Sequence, residues 1–172
     1  MMRTALARLI GSFRTLPDAA GWRWSLLVGL PVLAAMAAIG LATGLYQPQS
    51  GDLATLPLTL LTVLFVPAIG EEAVFRGLMT PGRTEQPSAL KAVAMSTLIY
   101  VLWHPLEGFT FLPGARELFS RWDFLLVTGL LGLACGLTRW RTGSIWPAVL
   151  LHWGAVVVWK TWLGGPALET LG

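Results

Sequence analysis

Apolar residues run along this chain in long blocks, each closed by a short polar or Pro/Gly-rich segment. The clearest block, Leu53 to Ile69, carries no charge. Blocks of about 20 residues are what a helix needs to cross a bilayer. Five such spans are predicted: Trp24 to Tyr46, Leu53 to Thr80, Ser88 to His104, Trp122 to Thr138 and Ser144 to Leu163. The breaks between them are the polar turn Gln47 to Asp52, the stop Pro81-Gly82 with the loop Arg83 to Pro87, the connection Leu106 to Arg121 after Pro105, and Arg139 to Gly143. Pro31 kinks the first span, as helix bundles tolerate. Pro147 falls in the first turn of the fifth, where proline fits, with Thr142 or Ser144 as its cap. Gly132 and Gly136 form a small-xxx-small pair, read as close packing inside the bundle. Ahead of the first span, Leu6, Leu9, Ile10 and Phe13 share one helical stripe with Arg3, Arg8 and Arg14 largely off it. Two readings stay open there: an amphipathic helix on an anionic membrane face, or a frayed basic N-terminus.

Composition agrees with the pattern. Of 172 residues, 55% are hydrophobic and 12% charged, and the mean hydropathy is +0.66. Soluble domains carry about 25% charged residues, so the balance is that of a membrane protein. The net charge of +3 comes without a basic stripe interleaved with aromatics, so nucleic acid is not an expected partner. Trp22, Trp24, Trp122, Trp140, Trp146, Trp159 and Trp162 fall near predicted span ends, where interfacial belts form. The single cysteine, Cys135, reads as a small buried apolar residue. With no repeat or domain boundary, residues 1–172 read as one membrane domain.

If the spans alternate, Arg3, Arg8, Arg14, Arg23, Arg83, Lys91, Arg139 and Arg141 share one side, and Arg116, Arg121 and Lys160 the other. Cytoplasmic loops carry the positive excess, which puts the N-terminus in the cytoplasm. The Glu71/Glu72 end of the second span then lies towards the cytoplasmic face.

Within these apolar blocks the ionisable residues are few: Glu71, Glu72, Arg76, His104 and His152, with Lys160 near an end where it can snorkel. An ionisable group deep in a bilayer costs roughly 2.5–3.5 kcal/mol on insertion scales, so such groups turn inward and find one another. Glu72 and Arg76, four apart, share a helix face and pair. Glu71 is turned about 100° from Glu72, so one carboxylate is left over for other work. On the predicted boundaries, however, His104 falls roughly 12 Å deeper along its span than Glu71 or His152 along theirs. Span three begins outside the bilayer or tilts, or a boundary is misplaced.

These residues carry a resemblance. Gly70-Glu71-Glu72-x-x-Phe75-Arg76-Gly77 resembles the first motif of the CPBP intramembrane endopeptidases, which include the type II CAAX prenyl endopeptidases and the bacterial abortive-infection and bacteriocin self-immunity proteins. The family's second motif, an aromatic four before a His, is similar to Tyr100-Val101-Leu102-Trp103-His104, with tyrosine for the usual phenylalanine. Its third, a His followed four later by Asn or a small polar residue, is matched at His152 and departed from at Val156. The resemblance covers about Leu53 to Trp159 and implies an intramembrane protease activity with a catalytic core over about 53–160, carried by the all-α, polytopic transmembrane bundle of about five spans that the apolar blocks predict. It implies Glu71 and His104 as the pair that activates water and His152 as an oxyanion donor, with half of that hole in doubt because Val156 cannot donate. Tyr100 is a substitute donor or a buried structural tyrosine.

The chemistry can be reasoned independently. Peptide hydrolysis needs an activated water, a proton donor for the leaving amine and something to hold the oxyanion. Arg76 can hold one glutamate while the other works on water. A zinc site on Glu71, Glu72, His104 and His152 is the second mechanistic reading. The histidines lack His-x-x-x-His spacing and an arginine four from a ligand glutamate opposes a cation, so the expectation is a glutamic-type mechanism without cofactor. Two functional classes stay open: an endopeptidase acting on a membrane-anchored or lipidated segment from the cytoplasmic side of a bacterial inner membrane, and a catalytically weakened member acting as an immunity or partner-binding protein. A proton-relay transporter would want repeats and more spans.

Overall fold

Prolines and glycines decide where most of these helices turn, widen or stop. The computed structural model describes residues 4–86, 88 and 90–166, and among them there are helices and connections but no strand. We number the helices α1 (Ala5–Arg14), α2 (Ala19–Ala42), α3 (Leu56–Leu78), α4 (Leu90–Thr110), α5 (Arg116–Phe119), α6 (Trp122–Thr142) and α7 (Trp146–Trp162). The Thr4 side chain accepts from Ala7 N at 3.2 Å and Asp18 from Gly21 N at 2.7 Å, capping α1 and α2. Gly143, at φ +71°, ends α6 in the left-handed conformation that glycine adopts without strain. Ser144 Oγ accepts from Trp146 N at 3.2 Å as α7 begins, with Pro147 in its first turn.

Within α3 the backbone widens to π-helical turns over Leu64–Glu71 and again over Ala73–Leu78. Pro67 sits inside the first stretch. Proline lacks an N–H and its ring collides with the carbonyl one turn back, and a wider turn lets it pass. Pro105, expected to stop the third span, lies inside α4, which continues to Thr110.

α2, α3 and α6 are long and apolar enough to cross a membrane. The other two expected spans fall short: α4 has 21 residues but includes Lys91, His104 and Glu107, and α7 has 17. α6 is the hub, with 61% of its apolar stretch buried inside the bundle against 22% for α2 and α3. Gly132 and Gly136 let α4 approach it: a Cβ at Gly136 would lie 2.8 Å from Val93 Cγ1, and one at Gly132 2.9 Å from Tyr100 Cδ1. The pair packs inside the bundle. Cys135 is fully buried there, its Sγ 3.5 Å from the Ala148 carbonyl.

α1 is neither frayed nor merely laid on a surface. Leu9 reaches Gly77, where an added Cβ would lie 2.4 Å from Leu9 Cδ1. Trp146 Nε1 donates to Phe13 O at 3.0 Å, Ile145 N donates to Ser12 O at 3.1 Å, and the Phe13 and Trp146 rings meet edge to face at 5.7 Å. α1 is thus bolted over the end of α3 and the start of α7, while Leu6 and Ile10 of the same stripe stay exposed.

Candidate active site

Glu72 lies between the two widened stretches of α3, and its carboxylate and the Arg76 guanidinium are wholly buried. Such a pair survives burial only if its partners are well placed, since each ion loses several kcal/mol of hydration. Here Arg76 Nε is 3.3 Å from Glu72 Oε2, Arg76 Nη2 donates to the Gly132 carbonyl at 2.8 Å, and the guanidinium lies 4.4 Å from the Tyr100 ring centroid. Gly132 thus does two things: its missing side chain makes room and its carbonyl receives the arginine.

Glu72 Oε1 is 3.0 Å from His152 Nδ1. A carboxylate can only accept, so Nδ1 carries the hydrogen and Nε2 is turned outward. His152 Nε2 is 3.4 Å from the Tyr100 hydroxyl and 4.0 Å from Glu71 Oε2. Likewise His104 Nδ1 is 2.9 Å from the Tyr100 carbonyl oxygen. That carbonyl cannot donate, so the neutral His104 ring keeps its free lone pair on Nε2. Tyr100, Phe119 and Phe124 wall the His104 ring at centroid distances of 4.9, 5.3 and 5.4 Å.

Glu71 is the carboxylate left over. Among the described residues its buried Oε2 has no hydrogen-bond partner. Glu71, Tyr100, His104, His152 and Val156 all line one cavity of about 240 Å³, and Glu72 and Arg76 lie behind them. The rest of the lining is mostly apolar and runs towards Tyr46, Leu112, Phe119 and Trp159, at the end of the bundle opposite α1.

One lining residue has no counterpart among the expected site residues. Glu107 sits three after His104 on the same face of α4, and one side-chain atom from each of Glu71, His104 and Glu107 lies within 4.8 Å of the other two. The i, i+3 spacing was the available signal, hidden by reading Pro105 as the end of the helix. These three are also the residues that can converge on a cation. Glu72, expected in the metal set, is committed to Arg76 and His152.

A second polar cluster braces the site from the α1 end. Arg139, expected as a loop charge, is 1% exposed, with Nε 3.3 Å from the Arg76 carbonyl and Nη2 3.7 Å from Glu85 Oε1. Arg8 Nε donates to Glu85 Oε2 at 3.0 Å and its Nη1 to Leu78 O at 2.8 Å, satisfying a carbonyl at the end of α3. Burial alone would raise the Glu85 carboxyl. The hydrogen bonds from Arg8 and the Gly82 N–H, with the charges of Arg8 and Arg139, hold it below its ordinary value.

Helices alone among the described residues, three of them long and apolar enough to cross a membrane, with an ionised pair, two histidines and a spare carboxylate at one buried cavity, define the class of integral membrane proteins with a polar interior site. The family model described as type II CAAX prenyl endopeptidase Rce1-like matches residues 53–158, more than half of the chain, and the chain belongs to that family. No curated protein and no solved structure gives a match.

Proposed function

We propose that this protein is an intramembrane endopeptidase that hydrolyses a peptide bond in a membrane-anchored or lipidated substrate by a glutamate-activated water. The observation that carries the reading is the division of labour between adjacent carboxylates. Glu72 is fixed by Arg76 and His152, whereas the neighbouring Glu71 lines the cavity and its Oε2 has no hydrogen-bond partner among the described residues. A water held between Glu71 and the Nε2 lone pair of His104 gives its proton to Glu71 as its oxygen attacks the scissile carbonyl. His152, as the imidazolium that Glu72 supports, donates from Nε2 to the oxyanion, with the Tyr100 hydroxyl beside it. Tyr100 then takes the place that Val156, which also lines the cavity, cannot fill.

Five spans are part of this proposal, with α4 and α7 crossing alongside α2, α3 and α6. The proposal keeps the N-terminus in the cytoplasm, supported by the positive excess of the loop charges, and takes the membrane to be a bacterial inner membrane. In that topology the cavity lining leads to the outer side, so the substrate approaches from there rather than from the cytoplasmic side that the position of Glu71 in its span suggests. Val156 favours a second reading, a member of the family with weakened chemistry that binds a partner, since a lost oxyanion donor costs about 10²–10³ in rate. Proteolysis in liposomes against a library of membrane-anchored peptides tests the choice. Cleavage by the wild type, abolished in Glu71→Gln and indifferent to chelator, supports the glutamic enzyme. Loss with chelator, restored by zinc, moves the case to metal, and silence from the wild type beside an active relative leaves the partner-binding reading.

A further inference from the structure

We infer that Glu107 is a further catalytic residue of this site, the acid that delivers a proton to the leaving amine. The inference rests on the endopeptidase reading above. The proposed reaction has a base in Glu71, a water-positioning lone pair on His104 and an oxyanion donor in His152, so the proton for the nitrogen comes either back from Glu71 or from a separate acid as the C–N bond breaks. His104 Nδ1–H is spent on the Tyr100 carbonyl and His152 Nδ1–H on Glu72. Glu107 is placed for the task. It lines the same cavity, lies one helical turn beyond His104 on α4, and brings a carboxyl oxygen within 4.8 Å of both the Glu71 and His104 side-chain atoms. That separation leaves room for one water, and two carboxylates so close in a half-buried cavity disfavour joint ionisation. One carboxylate and one acid is the pairing that hydrolysis needs.

The step balances. Glu71 takes a proton from water while the water oxygen bonds to the scissile carbon and the carbonyl pair moves onto oxygen. Glu107, in its acid form, gives its proton to the amide nitrogen as the C–N bond breaks and the carbonyl re-forms. The products are a carboxylic acid and an amine, with Glu71 left as the acid and Glu107 as the carboxylate. Passage of the proton from Glu71 to Glu107 through a bridging water resets the pair.

The test compares wild type, Glu107→Gln, Glu107→Asp and Glu71→Gln in liposomes, with kcat, KM and the pH–rate profile measured on a peptide that the wild type cleaves. Glutamine keeps the shape and a hydrogen-bond donor but cannot give up a proton. The expected result is a loss of roughly 10²–10⁴ in kcat for Glu107→Gln at nearly unchanged KM. Its profile loses the limb that falls at high pH, and Glu107→Asp recovers part of the rate. A Glu107→Gln enzyme with the wild-type kcat, or one slowed but with both limbs intact, overturns the proposal. An inactive Glu71→Gln beside a fully active Glu107→Gln does so while leaving the endopeptidase reading standing. Zinc carried by the wild type and lost in Glu107→Gln makes Glu107 a ligand and overturns it too. A wild type that cleaves nothing removes both together.

Discussion

The Thr80 and Ser96 hydroxyls lie 3.1 Å apart in the buried core, and this contact sets the level at which α3 and α4 meet. Glu72 is eight residues before Thr80 and His104 eight residues after Ser96, so the two antiparallel segments leave the contact in the same direction, towards the cavity that Glu71 and His104 line. Both hydroxyls sit in fully buried residues, and Thr80 Oγ1 also lies 3.0 Å from the Phe75 carbonyl. Ser96→Ala should cost about 1 kcal/mol, because Thr80 keeps its second partner. Thermal unfolding in detergent reads this, and a loss above about 3 kcal/mol would mean that the contact holds more than register.

The two adjacent glutamates should part company on mutation. Glu72→Gln leaves the buried Arg76 charge uncompensated, which costs about 3–5 kcal/mol. Glu71→Gln removes no ion pair with Arg76, and Glu71 Oε2 has no hydrogen-bond partner among the described residues, so this variant should unfold closer to the wild type than Glu72→Gln while losing cleavage. Equal melting temperatures for the two variants would refute the assignment of Glu72 as the fixed carboxylate.

Two glycines on one face of α6 should also differ. A Cβ at Gly132 meets Arg76 Nη2 and Tyr100 Cδ1, each at 2.9 Å, whereas at Gly136 it meets Val93 Cγ1 at 2.8 Å. Both alanine variants should lose about 1–3 kcal/mol from overpacking. Only Gly132→Ala should also depress cleavage beyond what its stability explains, because it displaces the groups that fix Glu72 and His152. Parallel losses of activity in the two would sink the distinction.

The Arg8–Glu85–Arg139 cluster gives the α1 end an acid-labile tie. The folded carboxyl of Glu85 lies below its ordinary value. Its contribution is therefore complete above the unfolded value and is lost as pH falls through the lower folded one. Melting temperatures of wild type and Glu85→Gln should differ at pH 7 and converge towards pH 3. A gap that stays constant across that range would assign the effect to packing rather than to charge.

Composition and the apolar blocks determined a helical membrane protein, because spans of this length without charge have no other stable arrangement in lipid. The pairing of Glu72 with Arg76 was legible too, being a consequence of helical spacing alone, and so was the leftover Glu71. The polar outliers His104 and His152 stood out by rarity, and the structure brings both to the cavity that Glu71 lines. What the chain could not reveal by itself was whatever depends on contacts between helices. Pro105 looks like a stop in sequence. Inside the bundle α4 runs on past it, because neighbouring helices tolerate the lost hydrogen bond, and only then does Glu107 join the His104 face. Arg139 looks like a loop charge until α1 and the Glu85 loop close over it. The depth of His104 stayed unresolved until Thr80 met Ser96, since sequence spacing measures distance along a helix and not the offset between two of them.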